Sequence, residues 1–168
     1  MAEVSIEIVD PDSNVALQLV GDYTQHLTVT VPNGYNCATD SPPPAGSFRA
    51  PHGRFLVMFE NPAGPDAADG GDREAIGCGA VWRMEPGVAE IRRMWVVPSR
   101  HGRGHGRRML DALESEAREL GCDMARLDSM RALTAAVAMY RSQGYIEIDD
   151  YNGNPNATIW MQRSLADP

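Results

Sequence analysis

Between residues 88 and 120 a strand-like run meets three alternating glycines and then an amphipathic helix. That junction restricts the chain more than any other feature. The run AEIRRMWVVP ends at Val97-Pro98, Gly102, Gly104 and Gly106 follow, and Met109, Leu110, Leu113, Ala117 and Leu120 then recur at helical spacing. Glycines at such a turn permit left-handed backbone and a close approach between main chain and ligand. The helix start behind them presents N–H groups without intrahelical partners and the positive end of a dipole, which suits a phosphate. Arg92, Arg93, Arg100, Arg103, Arg107 and Arg108 crowd the same stretch with no acidic residue among them. Cations at a helix start oppose its dipole, so this cluster asks for a bound anion. The junction reads as the pyrophosphate seat of a nucleotide-bearing cofactor. The amides of residues 102–107 wrap the phosphates, and Arg103 and Arg107 add charge to their oxygens. The plainer alternative is a strand-to-helix turn with a solvated basic start. A dinucleotide-binding turn needs G-x-G-x-x-G opening a βαβ unit, whereas Arg107 stands in the last glycine's place and the turn follows a hairpin.

The formal net charge is −8 and every cation is arginine; the chain has no lysine. A P-loop lysine and a Schiff-base lysine are therefore excluded. Outside the basic junction the chain is strongly acidic. That weakly favours a cationic small substrate and argues against general nucleic-acid binding, and solubility alone accounts for it equally well. Cys37, Cys78 and Cys122 are odd in number and lack metal-ligand spacing, so they read as reduced thiols in a cytoplasmic protein. The four histidines are too dispersed for a metal triad, and no metal is expected. No apolar run reaches the length of a bilayer span, and MAEVSIEIVD lacks the regions of a secretory signal. Neither a nucleic-acid nor a membrane partner is expected.

Patterning predicts one domain over residues 1–168. A strand at 5–9 is followed by a helix that Asp12 or Ser13 caps and that runs towards His26. Residues 32–53 hold Asn33-Gly34 and Pro42-Pro43-Pro44 and read as a long loop forming a substrate-side rim. Strands are expected at 54–60, 75–84 and 88–97, with an acidic, disordered turn at 61–74 and a tight turn at Glu85-Pro86-Gly87. A helix over 106–120 stops at Gly121. A strand at 125–128 then lies parallel to the one at 88–97. A helix over 134–142 and strands at 145–148 and 157–163 complete an α/β pattern with a mixed sheet.

This order of elements, with the glycine turn, resembles the GNAT superfamily of acyl-CoA-dependent N-acetyltransferases. The likeness covers nearly the whole chain and is strongest over 88–165. The superfamily signature is Arg or Gln, two residues, Gly, one residue, then Gly or Ala. Here His101 takes the first place, followed by Gly102, Arg103, Gly104, His105 and Gly106. AEIRRMWVVP is similar to the family's fourth strand, and RLDSM at 126–130 with AAVAMYRSQGY at 135–145 to its fifth strand and following helix. YNGNP at 151–155 and IWMQRSL at 159–165 are similar to the tail of one small bacterial branch. Two positions depart from the pattern. His101 replaces the usual Arg or Gln, with an imidazole able to bond a phosphate or a loop carbonyl. Leu133 stands where many members carry asparagine.

The resemblance implies a GNAT fold: a mixed, splayed sheet of six or seven strands flanked by helices. It implies acetyl-CoA as co-substrate and transfer of the acetyl group to a primary amine, on a small molecule or a peptide, by direct attack in a ternary complex. Many members of the superfamily pair as homodimers, which leaves both a monomer and a homodimer open for this chain. Met94, Trp95 and Val96 would lie along the pantetheine arm, with the N–H near Val96 facing the thioester carbonyl. Losing one such donor typically costs about 2.7–4 kcal/mol. As side chains, Met94 and Val96 read as core.

Glu90, fourteen residues before Gly104, matches a general base of some histone-modifying members. An amine with a pKa of about 10 must lose a proton before it attacks. The alternative for Glu90 is pairing with Arg92 or another neighbour. Tyr140 matches the family tyrosine that protonates or bonds the departing coenzyme A thiolate; the alternative is packing of its helix on the sheet. His105 occupies a slot that is usually apolar in relatives, and it reads as structural or adjacent to the cofactor. Asp149, Asp150 and Tyr151 either line the acceptor pocket or form a solvated turn. No cysteine or serine sits in a recognisable triad or elbow. A non-catalytic module that senses acyl-CoA is the alternative to an enzyme.

Overall fold

In the computed structural model, which describes residues 3–31, 33–61 and 73–166, strand β1 (Val4–Val9) leads into helix α1 (Asn14–Thr30). Ser13 caps α1 by accepting the Ala16 amide hydrogen. Strands β2 (Gly53–Glu60), β3 (Glu74–Glu85) and β4 (Val88–Val96) form a meander. Helix α2 (His105–Glu119), strand β5 (Met124–Ser129), helix α3 (Thr134–Ser142) and strands β6 (Ile146–Ile148) and β7 (Ile159–Ser164) follow. The seven strands make one sheet in the order β1-β2-β3-β4-β5-β7-β6. Only β4 and β5 run parallel, since a crossover helix joins them.

Apolar runs rather than alternation mark the central strands because both faces of the sheet are covered. One face packs against α2 and α3 through Met58, Val81, Ile91, Met109, Leu113, Leu127 and Val137. The other packs against α1 through Ala16, Leu19, Phe55, Val57, Ala80 and Trp95. Helix α2 comes close enough to β3 that a Cβ on Gly79 would sit 2.7 Å from Leu113 Cδ1.

The expected elements are present, with shifted ends. Helix α1 continues past His26 to Thr30, because Leu27 packs into a small cluster with Val31 and Met130 that periodicity alone does not reveal. The strand expected from 157 begins at Ile159, and the one expected from 145 begins at Ile146. Among its described residues, the loop expected at 32–53 contains a 3-10 turn, Cys37–Thr39, and gives way to β2 at Gly53. The reading of the 61–74 turn as disordered falls largely on residues 62–72, outside the described residues.

Two features of β4 shape the site. Its pairing with β5 runs only from Val88↔Met124 to Ile91↔Leu127. Beyond Ile91, β4 keeps β3 as its neighbour and parts from β5. At the same point its register against β3 shifts, and Arg93 takes φ +53°, forming a bulge. The buried Cys78 thiol donates to the Arg93 carbonyl at 3.4 Å.

Candidate active site

A cavity of about 660 Å³ fills the opening between β4 and β5. The expected catalytic and cofactor residues line it, with the exceptions of Glu90 and Arg103, whereas Asp149, Asp150 and Tyr151 lie outside its lining. It has two ends of different construction.

The glycine turn forms one end. Gly102 and Gly104 have φ of +76° and +79°, and a Cβ on either would meet nothing within 4 Å. Torsion rather than crowding therefore selects glycine there, and the space above the turn is open. Gly106 differs, since its Cβ would lie 3.2 Å from Met139 Sδ. Gly104 caps α2 without a side-chain bond, and its carbonyl accepts the Arg108 amide at 3.1 Å. The amides of residues 105–107 precede that bond and have no helical acceptors.

The arginine cluster divides. Arg100 pairs with Glu60 and Glu74 at 2.7 and 2.8 Å. Arg108 donates to the Val4 carbonyl. Arg103 is 57% exposed and 4.0 Å from Glu60. Arg107 lines the cavity and has no ion pair or side-chain hydrogen bond among the described residues.

His101 takes the second of its expected options. Its Nε2–H donates to the Val96 carbonyl at 2.7 Å, so it fixes the strand end rather than reaching for a phosphate. The Val97 amide donates to Ile76 on the β3 side. Strand alternation therefore turns the Val96 amide the other way, into the opening. Met94 lines the same opening and packs against the α2–α3 core. His105 is 8% exposed, and neither ring nitrogen has a partner among the described residues. Burial holds it below the usual histidine range, with Arg108 reinforcing the effect. Tyr140 is buried on α3, edge-on to Tyr145 at 5.9 Å between ring centroids. Burial first, and the nearby Asp128 second, push its hydroxyl upward.

The other end is built from side chains. Tyr23, His26 and Leu27 of α1, Tyr35 and Asp40 of the long loop, Arg92 and Arg93 of β4, and Asp128 of β5 surround it. Trp95 packs there against Tyr23 and His26, at 6.4 and 5.9 Å between ring centroids. The 154–157 segment forms one wall. Asn156 ties that wall to the loop by accepting the Asn36 amide at 2.8 Å and donating to the Asn36 carbonyl at 3.0 Å.

Glu90 does not border this space. It is 2% exposed, and its carboxylate accepts from Trp82 Nε1 at 2.7 Å and from the Tyr151 hydroxyl and Asn152 Nδ2 at 3.0 Å, with Arg92 at 3.6 Å. Two carboxylates do border it: Asp40, which pairs with Arg92, and Asp128. Asp128 accepts from Asn152 Nδ2 at 2.6 Å and from Asn154 Nδ2 at 3.2 Å. Burial raises its pKa, and the Asn152 amide, the nearby Arg92 charge and the Asn154 amide oppose that rise. Asn152 thus holds both carboxylates with one amide nitrogen.

The sequence reading assigned Asp128 no role. The available signal was register: Asp128 is the first β5 residue beyond the last β4–β5 pair. Of the acidic turn, Asp150 binds the amides of Asn152 and Gly153 and so shapes the loop that carries both asparagines. Tyr151 bonds Glu90.

A split sheet with a glycine turn at a helix start defines the acyl-CoA N-acyltransferase class. The chain belongs to the acetyltransferase (GNAT) family, whose model matches residues 26–145. It is 29% identical over 168 residues to an IAA acetyltransferase of Azospirillum brasilense, covering 98% of this chain and 100% of that protein. It is 27% identical over 121 residues to an uncharacterized N-acetyltransferase of Schizosaccharomyces pombe, covering 71% of this chain and 68% of that protein. Among solved structures, an acetyltransferase of the GNAT family from Staphylococcus aureus Mu50 superposes with a TM-score of 0.71 at 12% identity, covering 98% and 100% of the two chains. A GNAT family acetyltransferase from Elizabethkingia anophelis with acetyl-CoA bound gives 0.60 at 13%, covering 96% and 98%. The structural likenesses establish the shared fold.

Proposed function

We propose that this protein transfers the acetyl group of acetyl-CoA to a primary amine by direct attack. The observation that carries this reading is the opening between β4 and β5. It has a phosphate-suited turn at one end and, at the other, a half-buried carboxylate, Asp128, that makes no ion pair among the described residues. Acetyl-CoA bound to the Elizabethkingia anophelis relative supports the choice of co-substrate.

In this reading the amides of residues 105–107, with Arg107, hold the pyrophosphate. The acceptor nitrogen attacks the thioester carbonyl, and the Val96 amide stabilises the resulting oxyanion. Tyr140, whose hydroxyl stays protonated, donates to the departing thiolate. The amine proton passes to Asp128, the carboxylate that faces the acceptor. Glu90 acts at one remove, holding Asn152 against Asp128. No covalent enzyme intermediate is needed.

The test is thiol release from acetyl-CoA across a panel of primary amines, beside calorimetric titration with coenzyme A. Amine-dependent release supports the reading. Tight coenzyme A binding with no release for any amine would instead favour a sensor.

A further inference from the structure

Resting on the acetyl-transfer reading, we infer that the acceptor is a free amino acid with an apolar side chain, whose ammonium faces Asp128 and whose carboxylate faces Arg93. Arg92 is compensated by Asp40 at 3.4 Å and Glu90 at 3.6 Å. Its neighbour Arg93 lines the cavity, yet among the described residues its guanidinium has no ion pair and no hydrogen bond. It rests 5.5 Å from the Phe48 ring centroid and near Tyr35. Asp128 is bonded only by the neutral amides of Asn152 and Asn154. Among the described residues, the end of the cavity away from the glycine turn therefore holds one unpaired charge of each sign, Arg93 and Asp128, and the two do not pair with each other. Leaving both unmatched in a part-buried site is costly, and a zwitterion satisfies both.

Spacing agrees. The last parallel pair, Ile91↔Leu127, places Asp128 opposite Arg92, so Arg93 lies one residue further along the facing strand. Groups one residue apart on diverging strands suit an amine and a carboxylate held on one carbon. A polyamine or a protein lysine would bring only positive charge towards Arg93. A peptide N-terminus would offer it a neutral amide. The body of the acceptor meets Leu27 and Met130, flanked by Tyr23, Tyr35 and Leu133, an apolar cluster that borders the cavity.

The reaction balances without a co-reactant. One N–H proton of the acceptor goes to Asp128, the N–C bond forms and the C–S bond breaks. Tyr140 gives its proton to the thiolate and is reprotonated by the second proton that the nitrogen loses as the amide forms. Asp128 returns the first to solvent, and the products are an N-acetyl amino acid, coenzyme A and one proton.

The experiment compares phenylalanine, phenylalaninamide and 2-phenylethylamine, and leucine with leucinamide, as acceptors in acetyl-CoA turnover and as ligands of the coenzyme A complex in calorimetry. A charge-assisted pair to the carboxylate predicts kcat/KM about ten- to a hundredfold higher for the acids than for their amides. It also predicts that Arg93→Met brings the ratio close to one, mainly through KM, and that Arg93→Lys restores part of it. Equal use of acid and amide by the unmodified protein overturns the inference. So does an acid preference that survives Arg93→Met, or binding of neither acid at millimolar concentration. Turnover of amines without acid preference strikes this inference alone. Acids that bind the coenzyme A complex in preference to their amides but are never acetylated strike the acetyl-transfer reading and leave the ligand assignment standing.

Discussion

The two ends of the cavity are built by different means. The glycine-turn end is mostly main chain from one contiguous stretch, residues 94–107. The acceptor end is mostly side chains drawn from α1, the long loop, two strands and the 154–157 segment, and residues as distant as Asn36 and Asn156 bond each other across it. Backbone recognition needs only torsion angles and small residues, so it tolerates variation in side chains. Side-chain recognition depends on which distant segments meet. One chain can therefore keep a shared co-substrate site while its acceptor site diverges.

Substitutions can break or sharpen that contrast. The largest effect is expected for Gly104→Val. The φ of +79° disfavours valine, and its side chain would occupy the open space above the turn. Calorimetry should show acetyl-CoA binding abolished while circular dichroism is retained. Unchanged affinity would refute the phosphate seat.

Next comes Asp128→Asn. Loss of a positioned base predicts about a 10²–10⁴-fold drop in turnover with coenzyme A binding intact. Burial holds the Asp128 carboxyl above the ordinary aspartate range, so its ionised form, and the rate, are lost as pH falls through that raised value. The asparagine variant should lack this acid limb. Glu90→Gln should cost less and displace the limb rather than remove it, since it acts through Asn152. If Glu90→Gln proves the more damaging, the two carboxylates exchange roles.

Tyr140→Phe should lower turnover by about a hundredfold, the low end for a positioned acid, with acetyl-CoA affinity preserved. Equal turnover would reduce Tyr140 to packing.

The smallest effect concerns stability. His105 is buried without hydrogen-bond partners among the described residues and resists protonation. Below about pH 6.5 the unfolded chain takes up a proton that the folded one refuses, so stability falls as pH drops. His105→Leu should remove that dependence and raise stability by about 1–3 kcal/mol, read by urea denaturation at pH 7.5 and 5.5. A steeper pH dependence in the variant would contradict the burial argument.

The same contrast explains what could be read from the residues alone. Helical spacing from Met109 to Leu120, glycine stops at Gly121 and Gly144, and the crossover rule fix the fold and the parallel β4–β5 pair, because each is a local signal or follows from handedness. The turn at 101–107 was legible for the same reason. Glu90 was placed by its distance from Gly104, yet spacing along a strand does not say which neighbours will surround a side chain. Trp82, Tyr151 and Asn152 enclose it from three separate segments. Asp128 and Arg93 fell within stretches that resemble family strands, but neither carried a signal of its own role. Their positions at the parting of two strands and on a bulge emerge only once the register is known.

The brevity of the β4–β5 pairing has a mechanical consequence. The strands β1 to β4 and the strands β5 to β7 are stitched by four residue pairs and by the helices that span them. Without a ligand in the cleft, the two blocks can open independently and exchange their amides at different rates. An extended molecule lying in that cleft would offer hydrogen-bond partners where a strand is missing, coupling the blocks into one cooperative unit. Occupancy would then be legible in the melting of the whole sheet, far from any residue that touches the ligand.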